Sequence, residues 1–345
     1  PELGAPGLGG DAPTPPSTMD DEEDDDGVLT PGAGGSGEVC DEVLFPASET
    51  IPPRILLVVD KSGSMGEEAV GYPGSKWASA VSSLSAVVTS LSGDVDFGLM
   101  LYPDGDADSR VCRAGAREVY VSANNAGAIV SELEATTPGG GTPTAKTLEQ
   151  AQEQLSLLPA SGGSRVVVLA TDGGPNCNTG LNPGTCRCVQ PGQCSDARNC
   201  LDDVEAKAAA SSLNAAGFSV FVIGIPGSEN FTDVLNGLAE AGGTALPGAT
   251  RYYQANNANG LASALENIAS RVATCRFDLA RAVPPNADIT VTAGGAPVVA
   301  DPTRTNGWAL VDSDTIEFFG AACNNLVNSP ANVQIDACYD PSGGG

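Results

Sequence analysis

The chain has 345 residues and a formal net charge of −27, from 43 acidic and 16 basic side chains, and it contains no histidine. Such a charge excludes nucleic acid and anionic membrane surfaces as expected partners, since both are held largely by Lys and Arg. The missing histidine removes Ser-His-Asp and Cys-His nucleophiles, imidazole bases and imidazole metal sites together. Aromatic residues are scarce at 5%, and the abundant Ala, Val and Leu point to aliphatic helix-on-sheet packing. The 10 cysteines include no CxxC pair, so disulfides in an oxidising compartment are expected rather than a cytosolic metal cluster.

Residues 1–39 are rich in Pro, Gly, Ser and Asp, include the acidic run Asp20–Asp26 and hold no basic side chain. A segment with so little apolar surface is expected to be a disordered tether, either a plain linker or an acidic tail that meets a partner. The chain opens at Pro1 without an initiator Met or a basic, apolar leader, so any signal sequence is expected to have been removed or left out. Apolar runs such as Ile55–Val59 fall far short of the ~20 residues of a membrane helix, and no membrane insertion is expected of this chain.

From Pro52 onward short β-rich runs alternate with helical stretches, the pattern of a parallel sheet flanked by helices. Arg54–Val59 is continuously apolar after its first residue, as a strand buried on both faces must be. Trp77, Val81, Leu84, Val88 and Leu91 then fall on one helix face. Strands are expected over Asp96–Tyr102 and Arg117–Ser122. A helix over Asn125–Ala135 leads to the loop Gly139–Thr144 and a further helix carrying Leu148, Ala151, Leu155 and Leu158. Arg165–Thr171 reads as a central strand that runs into Asp172, followed by a Cys-rich insertion over residues 173–200. The alternation resumes with helix Asp202–Ala216, strand Phe218–Ile225, helix Phe231–Glu240, strand Arg251–Gln254 and a last helix over Ala258–Ala273.

The expected architecture is therefore a doubly wound, mostly parallel α/β domain over residues 40–274. After Cys275 only strands are expected: Ile289–Thr292, Val298–Val299, Trp308–Val311, Ile316–Phe319 and Val333–Ile335. They make a small all-β module over residues 275–345, near the low end for independent folding and stapled by its cysteines.

Three oxygen-bearing loops follow strands or precede helices in this layout: Asp60-Lys61-Ser62-Gly63-Ser64, Thr142, and Asp172. Loops at the carboxyl ends of the strands of an open α/β sheet gather where ligands bind. Asp60, Ser62, Ser64, Thr142 and Asp172 can thus converge as hard oxygen donors, which suit Mg²⁺, Ca²⁺ or Mn²⁺ better than zinc or copper. Taken singly, Asp60, Ser62 and Ser64 would be ordinary helix and turn caps.

Asp60-x-Ser62-x-Ser64, Gly141-Thr142-Pro143-Thr144 at a helix start and Thr171-Asp172-Gly173 together resemble the metal-ion-dependent adhesion site of von Willebrand factor A domains, over roughly residues 52–274. The style of the motifs resembles bacterial secreted or surface proteins of that family. The resemblance implies one divalent cation, Mg²⁺ first and Ca²⁺ or Mn²⁺ as alternatives, ligated by the hydroxyls of Ser62, Ser64 and Thr142. Asp60 and Asp172 would act largely through water or switch with state. Neutral hydroxyls leave the ion's charge poorly compensated, so an Asp or Glu carboxylate of a protein or other extracellular partner becomes a favourable last ligand. The chain's own negative charge opposes an acidic partner at long range, but salt shortens that field to ~8 Å.

The function expected is non-enzymatic, cation-dependent adhesion outside a cell or at its surface, with a lipid anchor carried by a segment outside this chain as one option. The alternative is a structural coat or matrix component in which the ion and disulfides only stabilise. Cys177, Cys186, Cys188, Cys194 and Cys200 need a sixth partner, for which Cys112 is the candidate. Cys40, Cys275, Cys323 and Cys338 then form a second group. Asp104, Asp106 and Asp108 imitate the start of a calcium loop, yet Gly115 stands where a bidentate Glu is required, which favours a solvated acidic turn. Asn230-Phe231-Thr232 is a glycosylation sequon of use only in a eukaryotic secretory route.

Overall fold

The computed structural model describes residues 30–33, 39–45, 52–105, 108, 111–159, 164–279, 282–304, 306–310, 313–328 and 331–339. In chain order the elements are β1 (Thr30–Ala33), β2 (Val39–Phe45), β3 (Arg54–Asp60), α1 (Lys76–Ser90), β4 (Asp96–Tyr102), β5 (Ala116–Ser122), α2 (Ala126–Ala135), α3 (Thr144–Ser156), β6 (Arg165–Thr171), α4 (Asp203–Ala215), β7 (Ser219–Gly224), α5 (Thr232–Ala241), β8 (Tyr253–Gln254) and α6 (Ala258–Cys275). There follow β9 (Arg276–Asp278), β10 (Asp288–Ala293), β11 (Ala296–Val298), β12 (Gly307–Leu310), β13 (Thr315–Phe319), α7 (Gly320–Asn328) and β14 (Val333–Tyr339).

The α/β domain is built on a six-stranded sheet in the order β5-β4-β3-β6-β7-β8. All its pairings are parallel except that of the edge strand β5 with β4. Because side chains alternate along a strand, β3 sends Ile55, Leu57 and Val59 to one face and Leu56 and Val58 to the other. The first set packs with Trp77, Leu84 and Val88 of α1, Ile129 and Leu133 of α2, and Leu261, Leu265 and Ile268 of α6. The second packs with Leu148 and Leu155 of α3, Ala206 and Leu213 of α4, and Leu235 and Leu238 of α5. Both faces are covered, which is why the central strands read as unbroken apolar runs.

The second unit differs from its expected form in two ways. First, β2 pairs antiparallel with β14, and β1 with β2, in a five-stranded sheet ordered β1-β2-β14-β10-β11. The boundary expected at residue 40 therefore falls inside a strand of this sheet, and residues 30–33, expected within a disordered tether, form its edge strand. The remainder of that tether lies outside the described residues. Second, α7 interrupts what was expected to be strands alone. Its Cys323 and Leu326 are buried with Trp308, Ile316, Phe318, Val333 and Ile335, so the module is α+β, with a three-stranded sheet β12-β13-β9 beside the larger one.

Two features fasten this module to the α/β domain. The helix α6 runs directly into β9. Glu317, itself buried, accepts from Arg271 of α6 at 2.8 Å and lies 3.5 Å from Arg276, whose guanidinium donates to Ser219 Oγ of β7 at 2.7 Å. The disulfides keep the two expected cysteine groups apart: Cys112–Cys177, Cys186–Cys200 and Cys188–Cys194 in one, Cys40–Cys338 and Cys275–Cys323 in the other. Among the described residues no helix is long and apolar enough to cross a membrane.

Candidate functional site

β3 and β6 are adjacent and parallel, in a register that pairs Val59 with Ala170. Their carboxyl ends therefore deliver Asp60 and Thr171-Asp172 to the same edge of the sheet. The Thr171 hydroxyl donates to Asp60 Oδ2 at 2.6 Å, while Asp60 Oδ1 accepts from the Ser62 amide at 2.7 Å. That amide contact curls the chain after β3 so that Ser62 Oγ stands 3.2 Å from Ser64 Oγ. Ser64 Oγ in turn donates to Asp172 Oδ1 at 2.9 Å. Four of the five expected residues are thus joined in one hydrogen-bonded chain.

The fifth arrives on the loop before α3. Gly139 N donates to Lys61 O at 2.7 Å and Gly63 N to Gly140 O at 3.0 Å, laying that loop against the turn after β3. Thr142 is then held through its backbone: its amide donates to Asn176 Oδ1 at 2.8 Å, and its carbonyl accepts from Asn176 N at 2.8 Å. Between them, Gly141 passes so close to the insertion that a Cβ there would stand 2.5 Å from Cys177 Sγ and 2.9 Å from Asn176 Oδ1. Only glycine allows that approach.

The insertion is consequently part of the rim of this site. Cys112–Cys177 anchors its start to the loop after β4, and Cys186–Cys200 and Cys188–Cys194 close its body. Its end returns through Leu201 N to Arg187 O at 2.7 Å and Asp202 N to Pro175 O at 2.8 Å, with Leu201 buried in the second core face.

Asp60, Ser62, Thr142 and Asp172 are buried, at 0%, 2%, 6% and 3% exposure, and Ser64 is half-buried. Burial, reinforced by the charge of Asp172, pushes the Asp60 carboxyl up to about 7 against the opposing hydrogen bonds from Thr171 and Ser62. Burial also raises Asp172, while Lys76 and Ser64 pull it back. Two carboxylates therefore share a low-dielectric site, and the bonded cation among the described residues is Lys76, whose Nζ donates to Asp172 Oδ2 at 2.5 Å. Lys76 was absent from the expected site. Its trace in the sequence is a lysine placed just after Ser75, at the start of an Ala- and Ser-rich helix, where a cation opposes the helix dipole.

The other candidates fare differently. Asp104 makes an ion pair with Arg113 at 3.6 Å and Asp106 lies outside the described residues. Asn230 Nδ2 donates to Gly227 O at 3.2 Å, in a short 3₁₀ turn before α5.

An α/β sheet with helices on both faces, and an Asp-x-Ser-x-Ser turn, a Thr loop and an Asp gathered at its carboxyl edge, is the arrangement of a von Willebrand factor A-type fold. Residues 55–175 match the family profile described as the von Willebrand factor type A domain. It is 28% identical over 198 residues to the uncharacterized protein YwmC of Bacillus subtilis (strain 168), a match covering 56% of this chain and 74% of that one. Among solved structures it is similar to the pilus adhesin SpaC of Lactobacillus rhamnosus GG, at 18% identity and a TM-score of 0.47, over 90% of this chain and 42% of SpaC. It is also similar to the vWF domain of the type V pili tip protein Mfa5 of Porphyromonas gingivalis, at 16% identity and a TM-score of 0.46, over 64% of this chain and 95% of that domain. The chain spans less than half the length of SpaC.

Proposed function

We propose that this protein is a non-enzymatic binding module that engages its partner through one divalent cation, held by the hydroxyls of Ser62, Ser64 and Thr142 with Asp60 and Asp172 close by. The observation that carries this reading is the chain of contacts from Thr171 through Asp60, Ser62 and Ser64 to Asp172, buried beside Thr142 at the carboxyl edge of the sheet. The donors are all oxygen, which fits a hard cation, Mg²⁺ before Ca²⁺ or Mn²⁺. Two buried carboxylates served by one ammonium carry the negative charge that such an ion neutralises. When bound, the ion supplies a coordination position for an outside oxygen. The chain's own contribution is to hold the hydroxyls, orient Ser64 through Asp172, and present the disulfide-closed rim that a partner must meet.

The partner is expected to present an Asp or Glu carboxylate, outside the cell or at its surface. Five disulfides support that compartment. The test is capture from protein and carbohydrate arrays with Mg²⁺ or with chelator, comparing the natural chain with Ser62→Ala/Ser64→Ala. A partner captured only by the natural chain with Mg²⁺ is the expected result, and capture indifferent to both ion and substitution contradicts it. The disulfides also favour a second reading, a coat or matrix component in which the ion only stabilises the fold. Chelation would then lower the melting temperature without altering capture of anything.

A further inference from the structure

Lys76 is the first residue of α1, a place where a cation faces the positive end of the helix dipole. Its side chain is also buried, at 6% exposure, a place unfavourable to an ion unless it is paired. What compensates it is Asp172 Oδ2 at 2.5 Å, with Glu67 further off at 3.9 Å. The loop after β7 closes over the pair: Gly227, at φ +113°, would bring a Cβ to 2.7 Å from the Asp172 carbonyl and 3.5 Å from Lys76 Nζ. The pairing is therefore built into the fold from three elements. Asp172 is divided between Lys76 on one oxygen and the Ser64 hydroxyl on the other.

We infer that Lys76 is a specificity-determining residue that sets the charge of the proposed cation site. Its ammonium cancels the charge of Asp172, so Asp60 alone is left to offset a bound divalent ion, and the ion stays positive enough to take an anionic group of the partner. A site with both carboxylates free would satisfy the ion internally. It would bind metal more tightly and a partner's carboxylate less well. Lys76 thus trades metal affinity for demand on the partner. The inference rests on the cation reading above.

The test uses Mg²⁺ alone, titrated calorimetrically into the chelator-stripped full chain, with melting temperatures measured in chelator and in Mg²⁺. Lys76→Met and Lys76→Gln are compared with the natural chain, with the charge-preserving Lys76→Arg and with Ser62→Ala/Ser64→Ala. Removing a unit charge a few ångströms from the ion is expected to tighten Mg²⁺ binding about tenfold to a hundredfold in the Met and Gln variants. Both should melt below the natural chain in chelator and gain more from Mg²⁺, whereas Lys76→Arg should behave like the natural chain. A merely structural lysine would give weaker Mg²⁺ binding when lost. Equal or weaker binding in the Met and Gln variants, or failure of saturating Mg²⁺ to restore their fold, overturns the inference. If the natural chain itself responds no more than Ser62→Ala/Ser64→Ala, the cation reading fails first and takes the inference with it.

Discussion

Asp60 is fully buried and takes hydrogen bonds on both carboxylate oxygens, one of them from the Thr171 hydroxyl. Thr171→Val keeps the shape of the side chain and removes that donor, leaving a buried acceptor short of a partner. A loss of about 1–3 kcal/mol is expected in denaturant unfolding of the metal-free protein. The pH dependence follows from the same carboxyl. Its folded value of about 7 lies above the ordinary 3.8, so between those values the folded state binds more protons than the unfolded one. Stability is then present below about pH 4 and is lost as pH rises through 7. In chelator the melting temperature should therefore fall across that window, and Mg²⁺ should flatten the fall by taking the proton's place. A melting temperature that rises from pH 4 to 7 in chelator contradicts this assignment.

The central elements were legible because their burial leaves a plain pattern. The apolar runs of β3 and β6 and the spaced Trp77, Leu84 and Val88 of α1 each sit where they were expected. The meeting of Asp60, Ser62, Ser64 and Asp172 was legible for a related reason: an Asp-x-Ser-x-Ser turn directly after a strand puts its oxygens at a sheet edge. Lys76 was not, since its meaning depends on Asp172, far away in sequence, and on the short loop after β7 that seals them. The helix α7 is short, and it opens on Gly320 and holds the Asn324-Asn325 pair, residues of weak helix propensity. It forms because Cys323 and Leu326 have a core to enter and Cys275 to bond. For β2, short apolar stretches around Asp41 and Glu42 do not say which distant strand they join, and only the pairing with β14 gives them a place. At this scale Leu265→Ala on α6, at a fully buried position, should cost about 2–5 kcal/mol in denaturant unfolding. Replacing both members of Cys112–Cys177 with Ser should free the start of the rim and lower stability by about 2–4 kcal/mol. An unchanged denaturation midpoint would mean that the loop is held by its hydrogen bonds alone.

Taken whole, the molecule encloses its α/β domain between two strands of one sheet. The chain leaves that sheet at β2, builds the α/β domain, and returns through α6 and β9 to finish at β14, where Cys338 is bonded to Cys40. Arg271, Glu317 and Arg276 tie α6, β13 and β7 together at the junction. Loss of one domain's packing should therefore be felt by the other. Cys40→Ser/Cys338→Ser is expected to lower the melting temperature of the whole chain while leaving Mg²⁺ affinity within about twofold, because this disulfide joins β2 to β14 and not the loops at the carboxyl edge of the α/β sheet. The central claim is that Asp60, Ser62, Ser64, Thr142 and Asp172 form one divalent-cation site. Calorimetric titration of Mg²⁺ into the chelator-stripped protein tests it most directly: the natural chain should bind one ion per molecule and Ser62→Ala/Ser64→Ala should bind none. No heat of binding to the natural chain, or equal binding to both, would contradict it.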